Sequence, residues 1–506
     1  MLMNYNMNEM NLEQKFLQLL RSPDKKNILV ALEIEKANAE LNLRQYLKAY
    51  VTLWNTWART LEAPNTDVKD LESLEVEHIM VFNQAKLNLS YKHISVLPAE
   101  IAGLTHLQKL DCMAIGLTIL PPEVGALTNL YKLRLNRNEL TILPAEIGNL
   151  TKLQELYITD NRLSALSAEI GNLTQLQKLE LAVNRLVALP AEIGKLTQLK
   201  KLEVGSNQLT TLPAEISGLT SLEELYIDNN QFTTLPTEIG TLSNLKFLYV
   251  SDNQLATLPS EIGNLTTLQE LYIEENQLIA LPAEIGTLQS LQLLHLQSNQ
   301  LSELPTEIGL VGDLRILCLE ENLLTTLPNT IGQLKCLEEL RIWKNDLVAL
   351  PLEIDSLKNL HTLDISFNKL STFPLQITQL EGLQKLNVAE NGLTDLPDEI
   401  NQLVKLEELN LGGNNLTSLP AGLAKLQKLQ NLDLRYNELE VLPSEVFALS
   451  NLQELNLMGN YLTTIPVEIT KLKKLQYLYL QHGLISEQEL ERVKKMLPNC
   501  SFTKFG

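Results

Sequence analysis

Cysteine is scarce in this 506-residue sequence, which contains four and pairs none of them in a CxxC motif. Structural zinc sites and disulfide frameworks depend on cysteines at short, paired spacings. The six histidines are scattered as well and show no zinc-binding spacing. We therefore expect free thiols in a reducing compartment, no metal site and no cofactor. The residues concerned are Cys112, Cys318, Cys336 and Cys500, and His78, His93, His106, His295, His361 and His482.

Long apolar segments are also absent. No run approaches the roughly 20 residues that a membrane-spanning helix needs. The first residues, MLMNYNMNEMNLEQKF, lack the basic and apolar regions of a secretory signal. We expect a cytoplasmic protein with no membrane partner.

Positively charged residues are fewer than negatively charged ones. The chain has 41 Lys and Arg residues against 61 Asp and Glu residues, which gives a net charge of −20. Binding to nucleic acid requires a basic surface that neutralises phosphates. Nucleic acid is therefore not expected as the main partner.

Most of the sequence consists of a 23-residue repeat. Residues 130–152, LYKLRLNRNELTILPAEIGNLTK, begin again at Leu153, Leu176, Leu199 and Leu222. Self-similarity at this period indicates a solenoid, and the pattern LxxLxLxxNxLxxLPxEIGxLxx is identified as a leucine-rich repeat. One asparagine marks the unit fifteen times without an insertion or deletion, at positions 138, 161, 184, 207, 230, 253, 276, 299, 322, 345, 368, 391, 414, 437 and 460.

The residue pattern of one unit predicts its structure. Leu133 and Leu135 alternate with polar residues, so one side of a short strand faces inward and the other outward. A buried column of asparagines, Asn138 in this unit, can satisfy backbone groups that the following turn leaves in the interior. Pro144 and Ile147 then mark a short helical or 3-10 segment on the far side. The predicted fold is an α/β solenoid, a leucine-rich repeat horseshoe with a parallel β-sheet on its concave face and short helical or 3-10 segments on its convex face.

The two ends of the chain depart from the repeat. In residues 1–83, Asn11 with Gln14 resembles a capping pair, and Ser22-Pro23 resembles a cap followed by proline at the first helical position. An N-terminal α-helical cap over the first strand is favoured there, and a small separate docking domain is the alternative. Residues 84–490 form about 18 units, and residues 491–506 are a C-terminal closing segment. A short amphipathic helix, SEQELERVKKMLP, is predicted across the boundary between them.

The second half of the unit, LPxEIGxLxxL, together with its 23-residue length, resembles the intracellular Ras-group leucine-rich repeat proteins. That group includes a scaffold that helps a phosphatase act on Raf kinases, plant intracellular relatives and many bacterial proteins. The resemblance covers residues 84–490 and implies a protein-binding scaffold in intracellular signalling. The near-identical repeats favour a bacterial source. The shared residues are structural, so the resemblance assigns no site residue.

Function in a solenoid is expected at the variable outward positions of the strands. The position between the two strand leucines is occupied in four consecutive units by Tyr226, Tyr249, Tyr272 and His295, with Phe247 to one side. Neighbouring strands lie ~5 Å apart, so we expect these rings to form an aromatic ribbon. The alternative is a tyrosine that packs well on a pleated sheet and was copied by duplication.

Carboxylates flank this ribbon on the next two outward positions, and cationic and aromatic residues follow further along. Exposed Tyr, Trp and Arg are typical hot-spot residues of protein recognition, and an acidic flank favours a basic partner segment. Calcium at the acidic pairs is disfavoured because two strands separate them and no turn supplies carbonyl ligands. The predicted partner-binding surface therefore adds Asp228, Asp252, Glu274, Glu275, Glu320, Glu321, Arg341, Trp343 and Phe367 to the five ring residues.

The sequence thus predicts a non-enzymatic scaffold that binds a protein with a basic segment on its concave face. An exported or surface adhesin or effector, which would leave the cell without a recognisable signal, is the alternative. An enzyme is conceivable only if residues 1–83 contain a fold that the pattern does not reveal. No glycine-rich phosphate loop is recognisable in the sequence.

Overall fold

The computed structural model describes residues 11–57, 68–92, 94–480 and 484–503. Two of the six histidines named above, His93 and His482, lie outside the described residues. The chain divides into two compact units, Met1–Leu245 and Lys246–Gly506, and each unit is described by itself.

The first unit begins with four α-helices in the described residues: α1 Leu12–Leu20, α2 Lys25–Ala37, α3 Arg44–Trp57 and α4 Val76–Phe82. The capping pair at the start of α1 is confirmed, because the Asn11 Oδ1 accepts from the Gln14 N–H at 2.8 Å and the Gln14 Oε1 accepts from the Asn11 N–H at 3.2 Å. The proposed Ser22-Pro23 cap is wrong. Asp24 caps α2 instead, accepting from the Lys26 N–H at 2.9 Å, and its carboxylate also complements the positive end of the helix.

The helices enclose an aromatic core next to the first repeat. Trp54 and Trp57 of α3 are 1% and 0% exposed. Helix α4 was not predicted from the sequence because seven residues are too few to show a periodic pattern. Its Phe82 is nevertheless fully buried. Helix α3 packs on the first 3-10 segment of the repeats, where Ala49 lies 3.7 Å from the place of a Cβ on Gly103. The helices therefore cover one end of the repeat core.

The repeats of the first unit form a parallel sheet. Adjacent strands pair in register with partners 23 residues apart, as Leu110 pairs with Leu133, and a five-residue 3-10 segment follows each strand, from Ala99–Gly103 to Thr237–Thr241. The strands are β1 Lys86–Asn88, β2 Lys109–Asp111, β3 Lys132–Arg134, β4 Glu155–Tyr157, β5 Lys178–Glu180, β6 Lys201–Glu203 and β7 Glu224–Tyr226.

The second unit continues the same pattern, with 3-10 segments from Ser260–Asn264 to Val467–Lys471. It ends with the predicted amphipathic helix, α5 Glu487–Met496, and with a short strand that the sequence did not reveal. The strands are β8 Phe247–Tyr249, β9 Glu270–Tyr272, β10 Leu293–His295, β11 Ile316–Cys318, β12 Glu339–Arg341, β13 Thr362–Asp364, β14 Lys385–Asn387, β15 Glu408–Asn410, β16 Asn431–Asp433, β17 Glu454–Asn456, β18 Tyr477–Tyr479 and β19 Ser501–Thr503.

The repeated asparagine holds neighbouring repeats together as predicted. The Asn276 Nδ2 donates to the carbonyl oxygens of Val250 and Ile273, each at 3.1 Å, and its Oδ1 accepts from the Leu255 N–H at 3.0 Å. Asn276 is only 7% exposed, so these bonds satisfy backbone groups that water cannot reach. The solenoid prediction is confirmed in both units. Among the described residues, no helix is long and apolar enough to cross a membrane.

Candidate functional site

The predicted ring residues lie on the outward-facing side of the strands, here called the strand face. Phe247 occupies the first position of β8, and the other four occupy the last position of their strands. The parallel register places Tyr249, Tyr272 and His295 side by side in β8, β9 and β10. Cys318 and Arg341 continue the same row in β11 and β12. Because the leucine before each of these residues faces the core, the side chains of the row project from the strand face.

The second unit confirms an aromatic stack in this row. The rings of Tyr249 and Tyr272 are parallel within 10° and their centroids are 4.2 Å apart, while His295 lies 4.8 Å from Tyr272. Both tyrosine hydroxyls donate to the same Glu270 oxygen, at 3.3 and 3.0 Å. Burial and these hydrogen bonds raise the pKa of Tyr272 above its usual range. The hydroxyls of the two stacked tyrosines are therefore held by one shared carboxylate. No ring contact joins Phe247, which is half-buried, to this stack within the described parts of the chain.

The stack ends at a histidine beside a thiol. The His295 Nε2 lies 3.8 Å from the Cys318 Sγ, and the His295 Nδ1 is 3.2 Å from the Gln297 Nε2. Although Cys318 occupies an outward position, it is only 1% exposed, and burial raises the pKa of its thiol to about 12. Burial also lowers the pKa of His295. A protonated, enclosed thiol is a poor nucleophile, so this pair is a structural end to the stack.

Two predicted site residues, Tyr226 and Asp228, belong to the first unit. The Lys201 Nζ lies 4.9 Å above the centre of the Tyr226 ring, and the Tyr226 hydroxyl donates to Glu224 at 3.2 Å. Tyr226 and Asp228 are both half-buried. The tyrosine ring therefore combines a cation above its face with a carboxylate at its hydroxyl, and it presents its remaining surface on the strand face.

The acidic flank of the second unit is partly on the surface. Asp252 and Glu275 are exposed and Glu321 is half-buried. Asp252 raises the pKa of Glu275, first through a hydrogen bond between the two side chains and then through the repulsion of its negative charge. Glu321 accepts from the Lys344 Nζ at 3.0 Å. Two neighbouring, mutually repelling carboxylates are thus available to a cationic group of a partner.

The other two carboxylates of the flank are less accessible than the sequence implied. Glu320 is only 5% exposed, which corrects the expectation that it lies on the binding surface, and Glu274 is half-buried. Burial raises the pKa of Glu274, and it raises the pKa of Glu320 to about 7. The Oε2 atoms of both residues are enclosed without a hydrogen-bond partner among the described residues.

Larger side chains extend the surface beyond the stack. Arg341 is exposed and pairs with Glu339 at 2.5 Å, Trp343 is half-buried, and Phe367 is 53% exposed. Phe367 also has a positive φ of 51°, which L-residues rarely adopt. The residue before the repeated asparagine has this backbone conformation throughout, including Glu275 and Glu321. No group of three or more His, Cys, Asp or Glu residues suited to a metal ion occurs in the described ranges.

The strand face has a second feature that was not predicted from the sequence. Beyond Asp364 the same row is occupied in successive strands by Asn387, Asn410, Asp433 and Asn456, and these residues line a cavity. Reading the row past Asp364 at 23-residue steps would have shown the run of Asp and Asn, although no pattern in the sequence shows that a cavity lies there.

Comparisons with known proteins agree with this architecture. A family model described as leucine-rich repeat region matches residues 58–187, 156–231 and 273–349. A second model, described as leucine rich repeat, matches residues 221–278, 381–439 and 427–485. Among solved structures, a leucine-rich repeat protein of Leptospira interrogans is 42% identical, with a TM-score of 0.70, over 74% of this chain and 96% of that chain. A search of curated proteins gave no significant match.

Two plant structures are similar at lower identity. The peptide hormone receptor RGFR1, in complex with RGF2, is 25% identical over 81% of this chain and 89% of its own, with a TM-score of 0.52. The Arabidopsis receptor kinase HAESA, in complex with the peptide hormone IDA and the co-receptor SERK1, is 26% identical over 78% of this chain and 83% of its own, with a TM-score of 0.54.

Proposed function

Because this chain belongs to the leucine-rich repeat family, we propose that it is a non-enzymatic scaffold that binds a protein partner on its strand face. Leucine-rich repeats are in general protein-interaction modules, and two similar plant structures hold peptide hormones. The observation that carries the proposal is the stack of Tyr249, Tyr272 and His295, a rigid aromatic surface at outward positions. Aromatic side chains of this kind contribute a large share of binding energy at protein interfaces.

The charge of the surroundings supports a basic partner segment. Asp252 and Glu275 are exposed beside the stack, and the whole chain has a net charge of −20. A lysine or arginine of the partner would relieve the repulsion between these two carboxylates, so part of the affinity would be electrostatic. The same acidity makes nucleic acid an unsuitable partner. Binding should therefore weaken as salt rises and screens the carboxylates.

The proposal is tested with an array of basic, neutral and acidic peptides. Wild type is compared with the double variant Tyr249→Ala/Tyr272→Ala and with Tyr477→Ala, which removes an exposed tyrosine elsewhere in the second unit. We expect binding to basic peptides that falls at least tenfold in the double variant, the equivalent of ~1.4 kcal/mol, and persists in Tyr477→Ala. Capture from a lysate of the native host with the same variants would then identify the partner.

Three outcomes would count against the proposal. Equal binding by wild type and the double variant would place the site elsewhere. A preference for acidic peptides would contradict the role of the carboxylates. A large fall in the melting temperature of the double variant would show that the rings stabilise the fold, since a binding surface can be removed with little effect on unfolding.

The finer placement is part of the same proposal. The LPxEIGxL form of the repeat supports the intracellular Ras-group type and a role in signalling, and the near-identity of the repeats supports a bacterial source. The four cysteines are free, with Cys112 and Cys318 buried, which suits a reducing cytoplasm. Fractionation of the native host tests this placement, because recovery of the protein outside the cytosol would favour the exported adhesin or effector.

A further inference from the structure

The strand face of the second unit contains a cavity of about 330 Å³ away from the aromatic stack. It lies over strands β13 to β17, and its central row consists of Asp364, Asn387, Asn410, Asp433 and Asn456. No aromatic side chain lines it, in contrast to the stack on β8 to β10. A ligand in the cavity would therefore meet the hydrogen-bonding side chains of this row along its centre.

The five side chains of this row are fixed in one orientation. In each, one oxygen accepts from the backbone N–H two residues further on, at distances between 2.9 and 3.2 Å. Such local bonds hold Asp and Asn side chains in place. The second polar atom of each side chain is consequently directed by the backbone, and the row is organised before any ligand arrives.

The second polar atoms of these side chains form hydrogen bonds with each other, except at Asn410 in the middle of the row. The Asn387 Nδ2 donates to Asp364 at 2.9 Å, and the Asn456 Nδ2 donates to Asp433 at 3.3 Å. Asn410 lies between these pairs, and its Nδ2 donates to no group in the described part of the chain. A carboxamide nitrogen carries two donors. The middle of the cavity thus offers two unused N–H donors on one strand, beside the Asp433 carboxylate on the next.

Asp433 can accept more than it receives. Among the described residues, its Oδ2 has one contact besides the bond from Asn456, at 3.4 Å from the Arg435 Nε. Burial raises the pKa of Asp433. A carboxylate oxygen has room for further donors. A Cβ on Gly412 would lie 2.8 Å from the Arg435 Cγ, so a larger side chain there would shift Arg435 relative to Asp433.

We propose that this cavity binds a saccharide through two hydroxyls on neighbouring carbons. Adjacent strands are ~4.8 Å apart, so Asn410 and Asp433 present a donor and an acceptor at the separation that two such hydroxyls can bridge. One hydroxyl accepts from the Asn410 Nδ2 and the other donates to Asp433. A phosphate is disfavoured by the carboxylates of Asp364 and Asp433, because the one lysine among the lining residues, Lys385, is already paired with Glu408 at 2.8 Å. Without an aromatic ring to stack on, the affinity is weak, about 1 mM.

The test uses saturation-transfer NMR with the full-length protein and the methyl glycosides of glucose, galactose and mannose. Asn410→Asp keeps the size and the backbone-bonded oxygen but replaces both donors with an acceptor, and Gly412→Val shifts the Arg435 side chain that lies against Asp433. We expect transfer to at least one glycoside in wild type, a tenfold or greater loss in both variants, and a comparable loss when either hydroxyl of the diol is removed from the ligand. Tyr272→Ala should leave the signal unchanged, since the stack is a separate site.

Circular dichroism confirms that each variant is folded before its signal is interpreted. The proposal is overturned if no glycoside gives transfer, or if Asn410→Asp and Gly412→Val both bind as wild type does. Triglycine is included as the competing chemistry, because a peptide group also offers a donor and an acceptor. Binding of triglycine without binding of any glycoside would assign the cavity to a peptide main chain and overturn the saccharide.

Discussion

Replacing Glu320 with Gln should stabilise the protein at alkaline pH and leave it unchanged at acidic pH. The carboxyl is 5% exposed, its Oε2 has no hydrogen-bond partner among the described residues, and burial raises its pKa from 4.5 to about 7. An ionised carboxylate in this position is poorly solvated, whereas a neutral carboxamide of the same shape carries no such penalty.

The size of the effect follows from the pKa. The difference between the folded and unfolded values corresponds to up to ~3 kcal/mol, at 1.36 kcal/mol for each pH unit. The folded state holds the proton more tightly than the unfolded state, so the penalty is absent below pH 4.5, grows as pH rises, and is complete above about pH 7. Wild type therefore loses stability through this window, and Glu320→Gln does not.

The assay is urea unfolding of wild type and Glu320→Gln at about pH 5 and about pH 8. All other titratable groups are the same in both proteins, so the difference between their free energies of unfolding reports on residue 320. The exposed Glu284 on a 3-10 segment provides the control Glu284→Gln, for which we expect no pH-dependent difference. The reasoning is refuted if Glu320→Gln shifts stability equally at both pH values, which indicates a packing effect, or if it is less stable than wild type at pH 8.

Two further substitutions examine the repeat itself. Asn276→Ala removes the bonds that satisfy the Val250 carbonyl and the Leu255 N–H, so it should lower the free energy of unfolding by about 3 kcal/mol. The control Gln277→Ala, at the exposed neighbouring position, should change this free energy little. Equal urea midpoints for Asn276→Ala and wild type would show that water replaces the asparagine. Gly413 has a φ of +66°, so Gly413→Ala should cost ~1 kcal/mol, whereas Gly312→Ala, with open space around its Cβ, should be neutral in the same assay.

The repeat frame was predictable because its physical cause is local and recurs. The inward leucines, the asparagine column and the 3-10 segments all follow from the order of residues within one unit, and an uninterrupted period of 23 fixes the register between strands. Helix α4 and strand β19 were not predicted, since each is too short to show a period and is stabilised by packing on the rest of the chain.

The candidate site was predictable only in part. The sequence correctly placed Tyr249, Tyr272 and His295 in one row, because their positions within the repeat are identical. It could not show that both tyrosines share Glu270 or that Cys318 is enclosed beside His295. Those contacts depend on the rotation of side chains from neighbouring repeats.

The amino-acid sequence by itself determined the solenoid, the inward and outward positions and the composition of each outward row, because these depend on spacing along the chain. Only the tertiary structure decided which outward residues are accessible. Glu275, Glu320 and Glu321 are chemically equivalent and all occupy outward positions, yet Glu275 is exposed, Glu321 half-buried and Glu320 almost fully buried. The reason is that each side chain on the strand face meets residues 23 positions before and after it, and their sizes and conformations set its burial, its pKa and its availability to a partner.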